Sequence, residues 1–235
     1  MVPPTDAIVT YHSVPQFPTG ELLEQCLATL VEHTKNIRII VVDDASDIPG
    51  AQFLDNLIRK YPNALLVRTG FQRWFTRAVN LGLSLARTER VCVLNSDMVF
   101  GPGWLEEMYD VWAEVEKTGK VGLVGSLQSD PEPRRYQISV PADYVTGHAW
   151  VLSMQAMKEV SVARGNKTGV FLDESTPGNI HIHSDVEICW LLHNLGWQCV
   201  KSFKSAVGHI GGRSWGHNIA RVQSLRLEDV NERYQ

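Results

Sequence analysis

The sequence lacks a C-x-x-C pair, an apolar run approaching the roughly 20 residues that span a bilayer, and a G-x-G-x-x-G after its first apolar run. Each absence narrows the reading. The four cysteines, Cys26, Cys92, Cys189 and Cys199, are scattered, and Cys92 and Cys199 lie inside apolar runs where a thiol acts as a small hydrophobe. That usage fits a reduced, cytoplasmic protein. The opening MVPPTDAIVTYHSV has no basic stretch leading into an apolar one, so neither a signal peptide nor a transmembrane segment is expected. The missing glycine fingerprint argues against a Rossmann dehydrogenase. YHSVPQFPTG, in the same place, also lacks the Gly-rich, Arg/Lys-bearing phosphate loop of a nucleotidyltransferase. Positive charge is not in excess: a net charge of -4 argues against a chain whose task is coating nucleic acid. No Pro/Ser linker, charge block or fixed-period repeat divides the 235 residues, so one domain is expected over 1–235.

What is present is an alternation of short apolar runs with amphipathic stretches, the pattern of an α/β fold. Ala7 to Ser13 reads as a strand and Glu21 to His33 as a helix with Leu22, Leu23, Cys26, Leu27 and Leu30 along one face. RIIVVDDAS brings a second strand ending at Asp43 and Asp44, Gln52 to Tyr61 a second helix, and ALLVR a third strand. Phe75 to Ala86 is a helix, ERVCVLNSD a strand, GPGWLEEMYDVWAEVEK a helix and VGLVGS a strand. From Leu127 to Tyr144 the pattern weakens to a loop or short hairpin. GHAWVLS and QCVKSF then read as strands, and Gln155–Ala163, Asp185–Leu195 and Ile219–Arg233 as helices; HIGGRSWGH reads as a Gly-rich loop. The β-α-β-α-β-α-β opening implies a mainly parallel sheet with right-handed crossovers, and ligands then sit beyond the carboxyl ends of its strands.

Those ends carry Thr10 and Tyr11, then Asp43 and Asp44, then Asn95 and Asp97. A carboxylate at such an end can accept hydrogen bonds from a base or ribose, or it can simply open a turn. Asp97 could serve a divalent cation at a diphosphate, since hard cations take oxygen ligands, or be an ordinary loop acid. Ser184 and Glu187 have the spacing of a capping box, which leaves Asp185 in the first turn, where the helix dipole favours its anion and where it could take a proton. His209 opens the Gly-rich loop, where it could reach a metal or phosphate, with Arg213 and Ser214 near for oxyanions. His181 and His183 share one extended segment, a poor zinc pair. Asn166-Lys167-Thr168 matches a glycosylation acceptor by chance in a cytoplasmic chain.

Together these segments resemble the inverting glycosyltransferase family 2, whose fold is GT-A. The resemblance rests on IVTYHS followed by LLEQCLATLVEHTKNIRIIVVDDAS, and on FTRAVNLGLSLARTERVCVLNSDMVFGPGWLEEM. It continues through VTGHAWVLS, FLDE, HSDVEICWLLHNLGW and HIGGRSWG. Asn80 and Gly82 fall on the family's Asn-x-Gly, and Asp97 on the last acid of its Asp-x-Asp. Asn95 takes the place of the first acid of that motif, and Ser184 that of the first acid of the Glu-Asp motif; FLDE carries one residue more than the family's Phe-Asp-Glu.

The resemblance implies an α/β GT-A fold with a nucleotide-sugar-binding half (1–126) and an acceptor-binding, catalytic-base half (127–235). It implies that Thr10, Tyr11, Asp43 and Asp44 hold the nucleoside of a donor, UDP-sugar favoured, with Asn80, Asn95 and Arg213 also on the donor side. Asp97 and His209 would bind Mn²⁺ or Mg²⁺ at the diphosphate, and Asp185 would deprotonate the acceptor hydroxyl. His148 and Trp150 would border the acceptor, and Trp215 would close over the donor. The acceptor is left open: a saccharide, a lipid-linked sugar, a protein, or a nucleic-acid hydroxyl such as modified DNA, which the basic residues near Arg134, Arg135 and the tail would suit. A non-catalytic nucleotide-sugar-binding module is the rival reading from another class.

Overall fold

The computed structural model describes residues 2–15, 19–126, 139–141, 145, 147–165 and 184–210. Its strands are β1 (Thr5–Tyr11), β2 (Ile37–Asp43), β3 (Ala64–Arg68), β4 (Arg90–Asn95), β5 (Met98–Phe100), β6 (Lys120–Ser126), β7 (Ser139–Pro141), β8 (Ala149–Ser153), β9 (Trp197–Ser202) and β10 (Val207–His209). Its helices are α1 (Gly20–His33), α2 (Ile48–Ile58), α3 (Trp74–Leu85), α4 (Trp104–Glu116), α5 (Met154–Ala163) and α6 (Ser184–Asn194). Eight strands form one sheet in the order β3-β2-β1-β4-β8-β6-β9-β7, and β5 pairs with β10 in a second, two-stranded sheet. The expected parallel character holds through β3-β2-β1-β4 and β6-β9, while β8 runs antiparallel between β4 and β6.

The strands read as nearly continuous apolar runs because both faces of the sheet are covered. Alternation along β1 assigns the faces: Ala7, Val9 and Tyr11 pack with Leu23, Leu27, Leu54 and Trp104, from α1, α2 and α4. Ile8 points the other way, into a cluster with Val79, Met157 and Ile188, from α3, α5 and α6. Ile8, Leu23 and Leu27 are completely buried, each worth about 1.5–3 kcal/mol of transfer free energy. Gly82 lets α3 close on β1: a Cβ there would meet Ile8 Cγ2 at 2.5 Å.

Three element readings are corrected. The second helix starts at Ile48, not Gln52, because Asp47 accepts the Gly50 N–H as N-cap and proline occupies the first turn. Met98–Phe100, assigned to no element between the strand ERVCVLNSD and the helix that follows it, form a short strand, β5. His209 ends strand β10 rather than opening a loop. The expected terminal helix Ile219–Arg233 lies outside the described residues, and among those described no helix is long and apolar enough to cross a membrane.

Candidate active site

The strand order makes the site. From β1 the chain builds β2 and β3 on one side and then places β4 on the other. Neighbouring loops diverge at such a switch point and leave a crevice beyond the strand ends. A cleft of about 590 Å³ opens there. Thr10, Tyr11 and His12 of the β1 end line it, with Asn95 and Ser96 of the β4 end and Asp44 after β2. Gln72, Trp74 and Phe75, where α3 begins, complete the wall. Strand register brings these ends level, since Thr10 stands beside Asn95 and Tyr11 beside Asp43.

The two acids after β2 have different jobs. Asp43 is buried, accepting the Ser46 N–H on one oxygen and Arg68 Nε at 3.0 Å on the other, and it does not line the cleft. Asp44 lines the cleft and accepts three donors: the Thr69 hydroxyl at 3.2 Å and the backbone N–H groups of Arg73 and Trp74, both at 2.6 Å. It thereby caps α3, whose own N-cap residue offers no side-chain bond. His12 is fixed by its neighbours. Its Nδ1 lies 2.7 Å from the Asp44 carbonyl, which can only accept, so Nδ1 carries the proton and Nε2 faces the Gln72 amide nitrogen at 3.3 Å.

Asp97 follows β4 by two residues and is 2% exposed, yet both its carboxylate oxygens lack a hydrogen-bond donor among the described residues. The β5–β10 pair brings His209 opposite Met98, and the Ile210 N–H bonds the Asp97 carbonyl at 3.0 Å. His209 Nε2 then stands 3.1 Å from Asp97 Oδ1, without the alignment of a hydrogen bond, and 3.4 Å from Asn95 Nδ2. A buried carboxylate left without donors is costly unless a cation completes it. Two ligands at about 2.1 Å in adjacent octahedral positions lie about 3.0 Å apart, which the Asp97–His209 pair matches. Mn²⁺ or Mg²⁺ therefore fits these residues. Among the described residues no group of three or more His, Cys, Asp or Glu assembles, so further ligands would come from a bound diphosphate or water.

A second arm of the site hangs from the segment before β8. The Gly147 N–H reaches Asp185 Oδ2 at 3.3 Å, in the first turn of α6. The adjacent His148 stacks on His209 with ring centroids 5.2 Å apart, and its carbonyl accepts the Asn95 N–H at 2.9 Å. Two consecutive residues thus tie Asp185 to the Asp97–His209 cluster. Burial, and then the neighbouring His209, push the His148 imidazole down to about 4, so it is neutral at physiological pH; its Nε2 lies 3.2 Å from Ser126 Oγ. Trp150 is completely buried, its indole N–H bonded to the Val145 carbonyl at 3.2 Å, so it supports this segment from beneath. Glu187 pairs with Arg164 at 2.5 Å, which fixes α6 to the end of α5. Asn80 is buried on α3 and is not among the cleft-lining residues. Arg213, Ser214, Trp215, His181, His183, Asn166, Arg134 and Arg135 lie outside the described residues.

His12, Gln72, Trp74, Phe75 and Ser96 line the cleft and were not singled out from sequence. His12 and Ser96 had a usable signal, being next to strand-end residues; Gln72 and Trp74 enter only through the tertiary placement of α3.

Comparison with known proteins agrees with this geometry. The family model described as glycosyl transferase family 2 matches residues 7–169, more than half of the chain. Glycosyltransferase GlyG of Streptococcus pneumoniae serotype 4 is 24% identical over 148 residues, covering 63% of this chain and 47% of its own length. The mannosyltransferase PcManGT from Pyrobaculum calidifontis, solved with GDP-Man and Mn²⁺, superposes with a TM-score of 0.67 at 15% identity, over 91% of this chain and 59% of its own. GalNAc-T7, solved with UDP, GalNAc and Mn²⁺, gives 0.63 at 12% identity, over 87% of this chain and 43% of its own. The chain thus spans about half the length of these proteins, and the superpositions identify its fold as GT-A.

Proposed function

The chain belongs to glycosyl transferase family 2, and from that premise we propose that it transfers a sugar from a nucleotide-sugar, UDP-sugar favoured, to an acceptor hydroxyl with inversion. The observation that carries this reading is the buried Asp97 carboxylate, which has no hydrogen-bond donor among the described residues and stands beside His209, directly after the cleft-lining Asn95 and Ser96. A nucleoside diphosphate fits such a place: its ring system would occupy the cleft and its phosphates would extend toward β4. Asp97 and His209 would hold Mn²⁺ or Mg²⁺, with Asn95 alongside; a bound cation supplies Lewis-acid stabilisation of charge on the diphosphate leaving group. That fold neighbours were solved with Mn²⁺ and nucleotides supports this choice.

The remaining chemistry belongs to this chain's own side chains. Thr10, Tyr11 and Asp44 orient the nucleoside, Asp44 largely through the α3 turn it holds. Asp185 takes the acceptor's hydroxyl proton onto a carboxylate oxygen while that hydroxyl oxygen attacks the anomeric carbon opposite the leaving diphosphate. The Gly147 N–H aims the carboxylate. His148, neutral and buried, shapes the acceptor side without competing for the proton, and Trp150 backs it. Holding both reactants converts a bimolecular attack into a nearly unimolecular one.

The test is release of nucleoside diphosphate from UDP-glucose, UDP-N-acetylglucosamine and GDP-mannose in 1 mM Mn²⁺ (roughly a saturating level for a site of this kind), followed with the purified chain. Slow hydrolysis of one donor, abolished by EDTA, is expected even without an acceptor. No turnover of any donor together with no thermal stabilisation by UDP or GDP would overturn the assignment.

A further inference from the structure

Trp74 is the most unusual residue of the cleft. Its φ is 69°, in the left-handed region. Cβ sterics make that region costly for a bulky side chain, and glycine is the residue ordinarily found there. The conformation is held from outside α3, because Asp44 accepts both the Arg73 and Trp74 N–H groups at 2.6 Å. Trp74 is half-buried and lines the cleft with Tyr11, His12 and Phe75. A glycine would satisfy the same Asp44 bonds without strain, so the backbone has no need of an indole. Strain that persists where an easier residue would serve points to a use for the side chain.

We infer that Trp74 is a donor-binding residue that stacks on the nucleobase, its indole forming an aromatic wall of the donor site. The inference rests on the proposed nucleotide-sugar reading and deepens it. Four of the nine residues that line the cleft carry flat rings (Tyr11, His12, Trp74 and Phe75), beside the polar Thr10, Asp44, Gln72, Asn95 and Ser96, and Tyr11 is itself buried. That composition suits a flat heterocycle better than a sugar ring, which needs hydroxyl-directed polar groups around its rim. Stacking on an aromatic face tolerates different bases, so Trp74 should strengthen binding of every nucleotide tested, while the polar groups choose between them.

The experiment compares wild type with Trp74→Gly, Trp74→Leu and Trp74→Phe by titration with UMP, UDP and UDP-glucose in Mn²⁺, alongside melting curves. Loss of one base-stacking partner weakens binding roughly five- to hundred-fold. Trp74→Gly and Trp74→Leu should show that loss equally for UMP, UDP and UDP-glucose, and Trp74→Phe should recover most of it. Trp74→Gly should melt within about 3 °C of wild type, because relief of the strained φ offsets lost packing, whereas loss of a structural core tryptophan would lower melting by roughly 6–20 °C. If Trp74→Gly does not fold, the Leu and Phe variants decide. Unchanged UMP affinity in both Trp74→Gly and Trp74→Leu overturns the inference while leaving the donor reading intact. A loss confined to UDP-glucose also overturns it, since the indole would then face the sugar. Failure of wild type to bind any of the three, or GDP, overturns both.

Discussion

Replacing Asp97 by Asn should move two stabilities in opposite directions. The wild-type carboxylate is buried with neither oxygen supplied by a donor among the described residues, so in the absence of metal the fold carries the desolvation of that charge. A buried unsatisfied polar group costs about 1–3 kcal/mol, more when charged. Asn has the same shape, no charge, and an amide N–H that can meet His209 Nε2, which stands 3.1 Å from Asp97 Oδ1. In EDTA, Asp97→Asn should therefore be more stable than wild type by about 1–3 kcal/mol. For a domain of this size each kcal/mol moves melting by roughly 2–4 °C. With Mn²⁺ and UDP present at about a hundred times their joint dissociation constant, wild type should gain about 2.7 kcal/mol by mass action, and the variant almost none. The order of the two melting curves should then reverse. Scanning calorimetry in the two buffers reads both effects. A variant less stable than wild type in EDTA would mean that Asp97 is satisfied in the fold, and an equal response to Mn²⁺ and UDP would mean that the cation is held elsewhere.

Asp185→Asn should leave UDP affinity within about twofold of wild type and lower transfer by roughly 10²–10⁴, the usual contribution of a general base; a near-wild-type rate would reassign the base. Gly82→Ala should destabilise by about 1–3 kcal/mol, read from urea midpoints, because its Cβ would meet Ile8 Cγ2 at 2.5 Å. The ordinary helix preference for alanine predicts the opposite sign. Asp6 supplies a pH test. Its burial alone would raise its pKa, but Arg38 and the backbone N–H groups of Arg87 and Thr88 more than offset this and hold it below the usual value of 3.8. A lowered folded pKa gives stability that is present above the unfolded pKa and is lost as pH falls through the folded one. Arg38→Gln should thus cost about 2–4 kcal/mol at pH 7. By pH 3 (roughly a unit below the unfolded carboxylate pKa) the wild-type advantage should have shrunk, as paired urea titrations would show.

What could be read from the sequence follows from how far each feature depends on distant residues. The strands β1, β2, β4 and β6 were legible because burial on both faces demands unbroken apolar runs, and helices α1 and α4 because one face alone is apolar. The start of α2 was missed by four residues: Asp47 and Pro49 mark it, but the turn residues before them hid the cap. Strands β5 and β10 were not legible: each has three residues, and neither exists without a partner more than a hundred positions away. The candidate site shows the same division. Asp97 could be placed at a rim from the run before it, but its lack of donors is a property of the packed chain. Asp43 and Asp44 look equivalent in sequence, and only Arg68 on one side and the α3 backbone on the other separate their roles.

The same dependence says how the site must assemble. Asp97 arrives with the contiguous β1–β4 unit, whereas His209 comes from a strand 114 positions beyond Asn95, and Asp185 from a helix fastened by Gly147 and Arg164. Antiparallel β8, inserted between β4 and β6, carries Gly147 and His148 at its head and joins these late parts to the early ones. Because the Asn95 N–H bonds the His148 carbonyl and the His148 ring stacks on His209, a shift of β8 along β4 would separate Asp97 from His209 and Asp185 together. The cleft, built from β1, β4, the residue after β2 and the start of α3, does not depend on that strand for its walls. Substitutions at the β4–β8 boundary should therefore impair the cation-dependent part of donor binding and the transfer step while sparing affinity for the nucleoside alone.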